Sequence, residues 1–158
     1  MTFTHHQLRE AVETEIVRRI LAAPENPAGI AALEASMQRQ AQALAAGDLE
    51  ATMRADEDFH RSLLHSCGLD GVWPIVAQAR DMHQRTRAIA VPELQSGEQA
   101  VADHHAIVEG LRQRDAAAAL QAMSRHLARN HTLTLRVAAL HPDYFEAEQA
   151  EEGDDAAT

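Results

Sequence analysis

The chain has 158 residues, enough for one domain with its own core. Its formal net charge is −10 with histidine counted neutral, so it should repel phosphate backbones and is a poor DNA binder by itself. Aromatic residues make up only 3% of an alanine-rich sequence, which suits packed helices better than a β-sandwich. The single cysteine, Cys67, excludes an internal disulfide framework and a cysteine-rich zinc site. No run of about 18 apolar residues exists, so no membrane span is expected. The start, Met-Thr-Phe-Thr-His-His, lacks the basic and apolar regions of a signal peptide, and a cytoplasmic location follows as the expectation.

The pattern predicts six helices. The first runs from about His5 to Ala23, with Leu8, Val12, Ile16 and Ile20 as its apolar stripe. Pro24-Glu25-Asn26-Pro27 ends it. The second spans about Ala28 to Ala46 and stops at Gly47; Asp48 caps the third, about Leu49 to Cys67. Gly68 and Gly71 mark a turn. The fourth covers about Val72 to Ala90, with Pro74 in its first turn and Val91-Pro92 as its stop. Ser96 with Gln99 reads as a capping box for the fifth, about Gly97 to Arg112. Asp115 caps the sixth, about Ala116 to Leu140. Residues 1–143 thus form one helical domain. Residues 144–158, rich in Glu and Asp, form an acidic tail expected to be disordered.

Three of these helices carry metal-ligand residue types on faces that otherwise look buried. In the third, Met53, Asp56, His60, Leu63, Leu64 and Cys67 recur every three or four residues and share one face. Asp56 and His60 stand one turn apart and can reach a common ion. His104 sits among Val101, Ile107, Val108 and Leu111, and His126 among Ala119, Ala122 and Met123. A buried, unpartnered polar group costs roughly 1–3 kcal/mol, and a charge costs more. A shared divalent metal would satisfy all four groups; local hydrogen bonds to core histidines are the competing reading. Three imidazoles and a carboxylate suit zinc foremost, or nickel, manganese or iron, rather than magnesium or calcium. His105 is the alternative to His104 if the register is shifted by one. His5, His6, His83 and His141 are expected to be exposed. Glu57 and Asp58, the nearest acids to the stripe, should point away from it, which leaves no evident general base for an enzyme.

The segments that carry these residues also resemble a family. Asp56-Glu57-Asp58-Phe59-His60 resembles the Asp-x-x-Phe-His motif of the FadR C-terminal (FCD) ligand-binding domain of GntR-type transcription regulators. Asp103-His104-His105-Ala106-Ile107 is similar to its Glu-His-x-x-Ile, Met123-Ser124-Arg125-His126-Leu127 to its Met-x-x-His-Leu, and Arg9-Glu10-Ala11-Val12-Glu13 to its Arg-x-x-Leu-Glu. Gly68-Leu69 departs from the Gly-Asn common there, and Asp103 replaces a Glu. The resemblance implies an all-α, antiparallel bundle of six or seven helices that senses an effector and is not an enzyme. It implies a divalent metal on Asp56, His60, His104 and His126, with open positions facing a small carboxylic acid. Arg9 is then a candidate for the effector carboxylate, since a guanidinium binds one bidentately. Arg80 and Arg87 are further candidates, with a solvated or salt-bridged role as the competing reading. A homodimer is expected, with DNA contacted only through a winged helix-turn-helix that this sequence lacks. The other readings are a metal-dependent enzyme on a helical bundle and a purely structural bundle.

Overall fold

The computed structural model describes residues 2–94 and 96–143. These form six α-helices and, among the described residues, no strand: α1 (Thr2–Ala22), α2 (Pro27–Ala45), α3 (Leu49–Ser66), α4 (Trp73–Leu94), α5 (Gly97–Arg112) and α6 (Ala116–Leu140), with a 3-10 turn at Asp70–Val72. The all-α expectation holds. The acidic segment 144–158 lies outside the described residues.

Local chemistry sets most boundaries. The Asn26 side chain accepts a hydrogen bond from Gly29 N at 2.9 Å, and Pro27 occupies the first turn of α2, where its missing N–H costs nothing. Asp48 and Asp115 cap α3 and α6 in the same way, accepting from Ala51 N at 2.9 Å and Ala118 N at 3.0 Å. Gly47 and Gly68 take φ of +70° just past α2 and α3, a conformation in which a side chain would be strained.

Two expectations fail. Ser96 makes no side-chain cap bond, because its own dihedrals (φ −85°, ψ −4°) are already helical, whereas a capping residue needs an extended backbone. The fourth helix runs through Val91-Pro92 to Leu94. Proline forfeits only its own donor, and the helix ends two residues later, so few bonds are at stake. One feature had no expectation at all: Arg114 adopts φ of +54° between α5 and α6. Its guanidinium donates to Leu21 O at 2.5 Å and Ala23 O at 2.9 Å, satisfying carbonyls that the end of α1 leaves open.

Three-residue connections join α2 to α3 and α5 to α6, and these two pairs pack most extensively, as antiparallel hairpins do. Gly110 permits the second pairing. A Cβ there would sit 2.7 Å from the Ala119 backbone.

The buried residues of each helix change character along its length. In α1, Arg9 and Glu13 precede Ile16, Val17 and Ile20. In α3, Asp56 and His60 precede Leu63 and Leu64; in α5, Asp103 and His104 precede Ile107, Val108 and Leu111. The even helices reverse the order: Leu33 before Gln40 in α2, Val76 before Arg80, His83 and Arg87 in α4, Ala119 and Met123 before His126 in α6. With alternating helix directions, this places the polar groups together at one end of the bundle and an aliphatic core at the other. Trp73, at the start of α4, is partly buried against the aliphatic core. The predicted α1 stripe needs correction at its start. Leu8 is 37% exposed and Val12 half-buried, and Arg9 and Glu13 take the interior positions.

Candidate metal centre

Three helices deliver one imidazole each to the polar end. His60 from α3, His104 from α5 and His126 from α6 are all buried, and one ligand atom from each lies within 4.8 Å of the others. Their ring centroids are 4.8–5.3 Å apart. Phe59 stacks on His104 at 3.9 Å and fixes its plane. His105 is exposed, so the register that points His104 inward is the one adopted. Glu57 and Asp58 are exposed, as expected.

Two of the three rings have their tautomer set from behind. His60 Nδ1 lies 2.7 Å from Glu13 Oε2, and a carboxylate can only accept, so Nδ1 carries the proton. His104 Nδ1 donates to Gln40 Oε1 at 2.8 Å. In each ring Nε2 therefore keeps its lone pair, and neither Nε2 has a hydrogen-bond partner. This is the arrangement in which metal-binding histidines are held by an outer partner. His126 differs. Its Nε2 accepts from the Asn130 amide at 3.0 Å, while Nδ1 faces Asp103 Oδ2 at 3.7 Å.

Asp56 lies at the edge of the triad, with Oδ1 3.6 Å from His104 Nε2. It is also the anchor of the interior ion pairs. Arg80 Nη2 donates to Oδ2 at 2.7 Å, Gln40 Nε2 to Oδ1 at 3.1 Å, and Arg87 pairs with Oδ1. Arg9 donates from Nε to Glu13 Oε1 at 2.7 Å. All three arginines named from sequence are thus buried and salt-bridged, yet each retains unpartnered donors: Arg9 Nη2, Arg80 Nε and Nη1, and Arg87 Nη2. His83 was expected on the surface but is buried beside them, because its position on α4 lies one turn from both Arg80 and Arg87. His5, His6 and His141 are half-buried rather than exposed.

The electrostatics keep the acids charged and the imidazoles neutral. Burial would raise the Glu13 carboxyl, but Arg9 and then His60 outweigh it and hold it well below the usual range. Burial likewise opposes ionisation of Asp56, and Arg87, Arg80 and His104 overcome it. Burial, with Arg80 beside it, lowers His60 to about 3 against the pull of Glu13. Burial depresses His104 and His83 well below 6.5, with His126 acting on the former and Arg9 on the latter. A neutral imidazole with a free lone pair is the form that binds a metal.

Sequence reasoning missed Gln40 and Asn130, and saw Glu13 only as part of a motif. Glu13 had one usable signal, its i,i+4 spacing from Arg9. Gln40 had none, since its partners are 16 and 64 residues away.

A helical bundle that buries three converging imidazoles among arginine–carboxylate pairs is a domain built around an internal site able to hold a metal. The chain belongs to the FCD domain family, which matches residues 5–129. It is also 32% identical, over 143 residues, to an uncharacterized HTH-type transcriptional regulator in an unstable DNA locus of Streptomyces ambofaciens. That alignment covers 90% of this chain and 59% of the relative, so the chain spans well under two thirds of that protein. The family and the relative place the chain with regulatory domains rather than enzymes. Among the described residues no helix is long and apolar enough to cross a membrane.

Proposed function

We propose that this chain is the effector-sensing domain of a GntR-type transcription regulator and that it binds a divalent transition metal through His60, His104 and His126, with Asp56 as fourth ligand. The observation that carries this reading is the pair of buried Nε2 lone pairs on His60 and His104, each oriented by a proton held at Nδ1. The 3.6 Å between His104 Nε2 and Asp56 Oδ1 fits it too, since ligands of one tetrahedral ion lie roughly 3.3–3.5 Å apart at zinc bond lengths. Asn130 must release His126 Nε2 for that ring to join. Imidazole-rich donors favour zinc first, with nickel, manganese or iron compatible.

The arginines supply the second half of the proposal. Arg9, Arg80 and Arg87 face two carboxylates, Glu13 and Asp56, leaving one surplus positive charge before any metal enters. A small carboxylic acid would neutralise it and engage the unpartnered guanidinium donors. The cavity beside Arg9, His83 and Asn130 measures only about 30 Å³, which is the room of a single water. Through that cavity an effector enters if α1, α4 and α6 part, and that rearrangement is what a sensor would transmit. Dimerisation, operation in the cytoplasm and DNA contact through a winged helix-turn-helix belong to the same proposal.

Elemental mass spectrometry of the purified protein tests it. Near one transition metal per chain is expected, lost in a His104→Ala/His126→Ala variant. No metal after reloading with zinc, nickel or manganese would leave only a hydrogen-bonded bundle.

A further inference from the structure

A second cleft of about 440 Å³, sharing Arg87 and Asn130 with the interior site, opens on the outer side of the polar end, where the last part of α4, the start of α5 and the outward side of α6 meet. Its walls include Arg87, Arg125, Arg129, Arg136, Ser96 and Asp103. All 14 basic residues of this acidic chain are arginines, and four of them converge here. Their counter-charges are few. Asp103 pairs with Arg129 and lies 3.9 Å from Arg125, and Arg87 spends Nη1 on Asp56. Arg136 pairs with no carboxylate among the described residues. Among the described residues, four guanidiniums against two carboxylates leave a surplus of two positive charges around one concave site.

Two further observations point to a ligand. Arg87 is only 2% exposed, yet its Nη2 has no hydrogen-bond partner. The buried Ser96 hydroxyl is also unpartnered and does not cap α5, whose positive end therefore faces the cleft without the side-chain cap seen on α2, α3 and α6. We propose that this cleft binds a small phosphorylated molecule as its phosphate monoester dianion. A monoester carries about −1.5 to −2 at neutral pH and offers three acceptor oxygens. That matches the charge surplus and the approach of donors from three helices. Ala100, Ala128 and Leu133 give the organic remainder an apolar wall, and the volume suits a small ligand. Among the described residues no hydrogen bond or ion pair joins Arg125, Arg129 or Arg136 to the three rings, and Asp103 and Arg87 are the groups that border both sites.

Calorimetric titration of the full chain with glycerol 3-phosphate, inorganic phosphate and acetate tests this, with metal-loaded and chelator-treated protein in parallel. Saturable binding of the monoester is expected, tighter than acetate and surviving chelation. Arg125→Gln and Arg136→Gln, both at exposed side chains, should each weaken it about tenfold without changing the melting temperature of the ligand-free protein. No saturable binding up to about 10 mM, equal affinity for all three anions, or unchanged affinity in both variants would overturn the proposal. Binding lost on chelation would overturn it as well, by moving the anion to the histidines.

Discussion

At one end of the bundle Ile16, Val17, Leu33, Leu63, Leu64, Ile107 and Leu111 bury almost all of their surface against one another. At the other, the same helices bury Arg9, Glu13, Asp56, His60, Arg80 and His104. The aliphatic end stabilises the fold by removing apolar area from water, at about 25 cal/mol per Å². The polar end must first recover the desolvation of six charged side chains and several imidazoles, and a hydrophobic replacement of such clusters is often neutral or stabilising. The contrast separates the end that stabilises the fold from the end to which the proposed function assigns binding: Glu13, Asp56 and the arginines add little stability for the desolvation they require.

Substitutions at the two ends test that contrast. Asp56→Ala should have the largest effect, about 3–5 kcal/mol in urea denaturation, because Arg80 and Arg87 would be left buried without a counter-charge. A near-neutral result would mean that water reaches the arginines and that this end is not dry. Leu63→Ala, at the aliphatic end, should cost about 2–5 kcal/mol and leave metal content unchanged.

Acid should act first on the polar end. His60, held to about 3, and the depressed His104 and His83 stay neutral when folded but take up protons near 6.5 when unfolded. The unfolded state then binds more protons, so the stability of the metal-free protein should fall as pH drops below 6.5. The slope is about 1.4 kcal/mol per pH unit for each such imidazole. Glu13 and Asp56 act in the same direction at lower pH, since their depressed values contribute stability that is lost as they protonate. A flat urea midpoint between pH 7.5 and about 5.5 would show that the folded interior accepts protons freely. The smallest effect belongs to the surface: Arg19→Ala breaks an exposed pair with Glu15 and should change stability by less than about 0.5 kcal/mol.

The sequence resolved these regions unequally. His60, His104 and His126 stood out because each interrupts an apolar stripe of period 3.6, and the bundle brings them to one point. Asp48 and Asp115 were legible as caps because capping is a local backbone event. Ser96 was misread because a capping box requires dihedrals that spacing alone does not reveal. His83 and Gln40 were invisible for another reason. A polar residue on a mixed helix face reads as solvated until the facing helix is known, and Gln40 meets His104 only through the pairing of α2 with α5.

Trp73 gives the division between the two ends an optical consequence. It is the only tryptophan of the chain and packs at the aliphatic end, while Arg80 lies seven residues on, roughly 10 Å along α4. A ligand that merely fills the polar end has little direct reach to the indole. A change in its emission on ligand addition would therefore report movement of α4 as a body, whereas silent emission with proven binding would confine the response to the far end.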